Sequence, residues 1–195
     1  MKTIDHFEQN RPVHLALRDV YFERAARMIS AQQSTLSPEI NVGEYEEILF
    51  LLRVSREHAR FSIRNAGKNE TDEQFSRLIN ILVGNVKAAL SMINLKGMVE
   101  SRDGSFFSFL GANQASIALQ GEEYQRRAND IIRSIHNTLK LAEDPFELLK
   151  LENSAAASEE ERERYAKARA HFTTLAKEKD RRFRVAPYAK KVGRI

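Results

Sequence analysis

TDEQFSRLINILVGNVKAALSMINLKGMVESRDGSFFSFL, residues 71–110, is the stretch on which the fold turns. Thr71 followed by Gln74 forms a capping box, so a helix is expected from Asp72. Phe75, Ile79, Leu82, Val86, Ala89 and Ile93 then recur at 4,3,4,3,4 spacing. That spacing lines one side of a helix with apolar groups and predicts a single helix from Asp72 to about Lys96, with a packing seam and no chemistry. Beyond it, Asp103-Gly104 reads as a tight hairpin turn between MVESR and SFFSFL, both capable of being strands. SIAL, residues 116–119, is a third short strand candidate.

The same residues admit a second reading. Phe75, Ser76 and Ile79, then Asn80 to Gly84, then Val86, Leu90 and Ile93, then Gly97, Met98 and Val99, then Asp103 and Gly104 follow one another in a recognisable order. The segment resembles the winged helix-turn-helix DNA-binding regulators, the group typified by the multiple-antibiotic-resistance repressors. The resemblance implies a short helix, a turn at Asn80–Gly84, a recognition helix over Asn85–Lys96 ended by Gly97, and a hairpin wing with its tip at Asp103-Gly104. It also implies a dimer held by terminal helices. Two positions depart from the family's pattern: Leu82 stands where a small polar residue is usual, and the recognition face carries one Lys and no Arg.

On that reading Asn85, Lys87, Ser91 and Asn94 face a major groove, and Lys96 and Arg102 reach phosphates. Affinity would fall steeply with salt. Replacing Lys87 and Arg102 by Ala is expected to weaken duplex binding.

Outward from this segment, Pro and Gly are scarce, at four and eight, and lie between periodic stretches, which favours helices. A first helix is expected from about Val13 to Gln33, on the stripe Val13, Leu17, Val20, Tyr21, Met28 and Ile29. Asn41 with Glu44 caps a second, to about Arg64, whose broad apolar face places it centrally. A further helix is expected from Glu122 to Leu141. Asp144-Pro145 then starts a separate short helix that ends near Asn153. Ser158 with Glu161 caps the last one, which crowds acids into its first turns and bases into its last. The expected fold class is mainly α, a helical protein with one small β-hairpin, open between a plain bundle and a winged helix-turn-helix. The expected organisation is a helical core over 1–153, containing the candidate winged segment 71–119, followed by a charged helix and basic tail over 154–195.

The chain has 195 residues, enough to bury a core without staples, and its net charge is +4. Residues 177–195 hold eight Lys or Arg against two acids, or +6, which leaves −2 for the rest. The basic character therefore belongs to the end of the chain rather than its body. The closing stretch RRFRVAPYAKKVGRI offers Arg184, Lys190 and Lys191 as phosphate contacts. It also offers Phe183, Tyr188, Val192 and Ile195 as apolar anchors for a partner, continuing the thin stripe of Tyr165 and Phe172.

With no cysteine, disulfides, thiol nucleophiles and Cys-based zinc sites are excluded. The five histidines, His6, His14, His58, His136 and His171, are scattered without HExxH or other ligand spacing, so no metal is expected. No glycine-rich phosphate loop or nucleophile elbow is present, so no cofactor and no catalytic residue are assigned. Phe106, Phe107 and Phe109 are expected to be core. The start of the chain, MKTIDHFEQNRP, lacks a signal-peptide apolar core and no run is long enough to span a membrane, so a cytoplasmic protein is expected.

Two functions stand open. One is a non-enzymatic, dimeric DNA-binding regulator or DNA-associated accessory protein. The other is a helical protein–protein adaptor or structural subunit of a larger assembly, docking through its terminal helices and basic tail.

Overall fold

A computed structural model describes residues 2–32, 42–66, 69–101 and 114–177. They form five helices: α1 Lys2–Ala31, α2 Val42–Ala66, α3 Glu70–Ser101, α4 Gln114–Ala156 and α5 Glu159–Lys177. Cross-helix contacts give the directions. Ser55 Oγ donates to the Arg18 carbonyl and Arg24 bonds Glu47, so α1 and α2 run antiparallel. Thr71 meets Glu152 and Asn85 meets Ser134, so α3 and α4 do too. Helices α1 to α4 make an up-down-up-down bundle. Helix α5 lies outside it along α1 and runs parallel to it, with Tyr165 on Asp19 and Arg169 on Glu23.

Helix α3 is unbroken from Glu70 to Ser101, and this decides between the two readings of residues 71–110. Phe75, Ile79, Leu82, Val86 and Ala89 are all buried in one seam, together with Val83 and Leu90. A turn at Asn80–Gly84 would throw one half of that seam out of register. Gly84 falls on the exposed side, where a missing side chain costs the core nothing. Asn69, rather than Thr71, holds the start: its carboxamide oxygen accepts from the Thr71 N–H at 3.0 Å.

The winged helix-turn-helix is therefore incorrect. Gly97 lies inside the helix, Met98 to Ser101 continue it, and Ser116 to Leu119 are helical where a strand was expected. There is no strand among the described residues. The hairpin turn Asp103-Gly104 and the strand candidate at 105–110, with Phe106, Phe107 and Phe109, lie outside the described residues.

Two prolines sit where local rules would end a helix. Pro12 lies within α1, which begins eleven residues before the expected Val13. Pro145 lies within α4, which runs through the expected break at Asp144 for 43 residues, roughly 64 Å at 1.5 Å per residue. Pro145 removes one ladder bond, yet it is buried beside Phe146 and Leu149, which enter the core together. The packing outweighs the local preference. Phe22 of α1, Phe75 of α3 and Phe146 of α4 meet there, with ring centroids 5.0, 4.5 and 5.5 Å apart. The joint between α4 and α5 is only Ala157 and Ser158. The expected capping box is present at its far side: the Ser158 N–H donates to Glu161 Oε2 at 2.8 Å, and the Glu161 N–H donates to Ser158 Oγ at 3.3 Å.

Candidate functional site

Two regions of the described surface stand out, a cleft and an exposed apolar row. The cleft, of about 80 Å³, lies where α1, α4 and α5 meet and is lined by Arg11, Leu15, Asp19, Lys150, Glu161 and Tyr165 among others. Asp19 is almost fully buried and doubly engaged: Arg18 Nε donates to Oδ1 at 2.7 Å and the Tyr165 hydroxyl donates to Oδ2 at 2.7 Å. Burial first, and then the Asp19 charge, raise the Tyr165 hydroxyl pKa far above its ordinary value. Tyr165 is thus a fixed donor.

Glu23, one turn on, accepts from Arg169 at 2.9 and 2.7 Å and from Lys150 at 3.3 Å. Lys150 also reaches Glu147 at 2.8 Å and lies over the Phe146 ring at 5.0 Å. The carboxylates at this junction are consumed in holding α5 and α4 onto α1. That is the behaviour of a structural clamp rather than of an acid–base pair, whose proton must be free to leave. Arg18 is 0 % exposed; beyond Asp19, its guanidinium comes within 4.0 Å of Asp72. Burial raises the Asp72 pKa, and the Arg18 charge offsets part of that rise.

A second buried contact joins His14 and His58, whose Nδ1 atoms are 2.9 Å apart across the α1–α2 seam. One ring must donate and the other accept, so the two rings cannot both be protonated. Phe61 stacks on His14, with centroids 5.0 Å apart. Sequence spacing does not reveal this pair, because 44 residues separate its members. Among the described residues, no group of three or more His, Asp or Glu side chains is placed to hold a metal ion.

The apolar region lies on α4. Leu141, Leu148 and Leu151 are 63, 50 and 67 % exposed, and Ile81 of α3 is 45 % exposed. At 100° per residue the three leucines fall within an arc of roughly 80° on the side of α4 away from the core. Ile81 precedes Asn85 by one turn and Leu141 follows Ser134 by two. The Asn85–Ser134 hydrogen bond therefore brings Ile81 and Leu141 to the same edge of the α3–α4 pair. This row escapes a reading that ends one helix at Leu141 and starts another at Pro145. Indexed as one continuous helix, Phe146 and Leu149 separate to the core side and Leu148 and Leu151 to the outside.

The residues assigned to a nucleic acid do not form one surface. Asn85 is half-buried and its carboxamide donates to Ser134 Oγ at 3.0 Å, at the edge of the α3–α4 pair. Lys87 and Ser91 are exposed. By helical register the positions of Lys87, Ser91 and Asn94 share an arc of about 60°, with Asn85 on the opposite side. Lys96 follows on the last turns of α3. Arg102, Arg184, Lys190 and Lys191 lie outside the described residues. Of the residues assigned to a partner, Tyr165 is committed to Asp19, and Phe172 is half-buried beside the His171 ring. Phe183, Tyr188, Val192 and Ile195 lie outside the described residues.

No protein-family model, no curated protein and no solved structure matches the chain. The regulators that residues 71–110 resemble are therefore not supported by any relative, and DNA-binding transcriptional regulation loses the geometry that suggested it. No helix among the described residues is long and apolar enough to cross a membrane.

Proposed function

We propose that this chain is a helical protein-binding subunit, an adaptor or structural component of a larger assembly, which docks through the outer face of α4. The observation that carries the reading is the exposure of Leu141, Leu148 and Leu151 on one side of a helix whose other side is fully committed to the core. Isolated surface leucines are ordinary, but a row at i, i+7 and i+10 is the pattern by which a helix face engages another protein. The cleft favours the same reading, since its Asp19 and Lys150 are engaged in holding helices together.

The test is the size of the tagged chain in extracts of the cells that make it. The chain should elute well above its own 22.4 kDa. A triple variant, Leu141→Glu, Leu148→Glu and Leu151→Glu, should elute as a monomer while keeping the wild-type helical signal. A wild-type chain that elutes as a free monomer would sink the proposal.

A further inference from the structure

Charge along α4 indicates what covers its leucine row. Among the described side chains of the first half, the exposed charges are Arg126, Arg127, Asp130, Arg133 and Lys140, with Glu123 half-exposed. The exposed charged residues of the second half are Glu143, Asp144, Glu147 and Glu152, the last bonded to Asn69 and Thr71 of α3, and its single base, Lys150, is drawn inward onto Glu23. Among these described side chains the charge is net basic before Leu141 and net acidic after it. Such a face opposes like charges if a copy of itself is laid parallel. Laid antiparallel, it sets each basic half against an acidic one.

We infer that the occupant of this face is a second copy of the chain, paired antiparallel through α4 about a two-fold axis near Leu141 to Asp144. The inference rests on the reading of α4 as a docking face. Two-fold pairing of one self-complementary patch is the commonest form of oligomer, and it places every contact twice. With the axis there, Lys140 of one copy faces Asp144 of the second, and Asp144 of the first faces Lys140 of the second. Helical register keeps both positions on the side of α4 that carries the leucines. Leu141 lies beside its own counterpart. Leu148 and Leu151 cover the stretch around Ser134 to Asn137 of the second copy.

Sedimentation equilibrium of the purified full-length chain, from about 1 to about 100 µM, spans the range where a modest helix–helix interface becomes populated. A reversible dimer is expected. Lys140→Glu should weaken it by about tenfold or more, and adding Asp144→Lys should restore it, because the swapped charges attract across the axis. Both positions are solvent-exposed, so circular dichroism should show unchanged folding.

The chain has no cysteine, so a single Leu141→Cys variant gives an independent reading. Mild oxidation should yield a disulfide-linked homodimer, whereas Ala170→Cys on the exposed side of α5 should not. A monomer across the whole range overturns the second copy as occupant. So does a dimer indifferent to Lys140→Glu, or a charge swap that fails to restore association. If the purified chain is monomeric while the chain in extracts is large, docking through α4 stands and the partner is another protein. If both are monomeric, the docking reading falls as well.

Discussion

His58 shows how a residue acquires its chemistry from its neighbours. Its ring is buried in the α1–α2 seam with His14 at 2.9 Å, and burial, helped by the His14 charge, pushes its pKa down to about 3. Burial lowers His14 as well. Both imidazoles are therefore neutral in the folded chain at pH values where an unfolded histidine, with a pKa near 6.5, already takes up a proton. The unfolded state then binds more protons, so this contribution to stability is complete above about pH 6.5 and is lost as pH falls from there towards 3. Thermal melting from pH 7 to pH 4 should show it: the melting temperature of wild type should fall more steeply than that of a His14→Phe, His58→Leu double variant. Parallel curves would remove the pair as the cause. Sequence alone shows two separated histidines with ordinary surroundings; their proximity requires the register of two helices.

At the scale of an element, α3 and α5 were legible to different degrees. The Ser158–Glu161 box that starts α5 involves residues three apart, so local sequence is sufficient to specify it. The seam of α3 was equally legible as a spacing. What spacing could not exclude was a turn at Ile81–Gly84, because a helix-turn-helix buries many of the same apolar positions. Gly84 is the residue that tells the two apart. A methyl group added there meets nothing within 4 Å. In an unbroken helix, Gly84→Ala should therefore stabilise the protein by about 0.5–1 kcal/mol, by restricting the unfolded chain. In a tight turn the same change would be neutral or harmful. Urea denaturation of the pair of proteins measures the sign directly. Pro145 makes the converse point: a rule valid for an isolated segment predicts a break, and α4 continues because Phe146 and Leu149 have a core to enter.

For the whole molecule, the sharpest consequence lies in two adjacent leucines. Leu149 is buried in the core cluster and Leu148 is half exposed on the outer face. Leu149→Ala should cost about 2–5 kcal/mol through lost burial and a residual cavity. At concentrations where the chain is monomeric, Leu148→Ala should change stability by no more than about 0.5 kcal/mol, as an exposed side chain does. Equal costs in chemical denaturation would mean that α4 is seated differently. By itself the sequence determined the helical class, the α3 seam, the α5 cap and the concentration of positive charge beyond residue 177, since all of these depend on residues near one another in the chain. The tertiary structure decided that Pro12 and Pro145 lie inside helices, that Asn85 bonds Ser134 across the α3–α4 edge, that His14 meets His58, and that one leucine row of α4 is left outside. Each of those outcomes is set by which helix lies against which, a long-range choice made by burial of the shared core and not by local propensity.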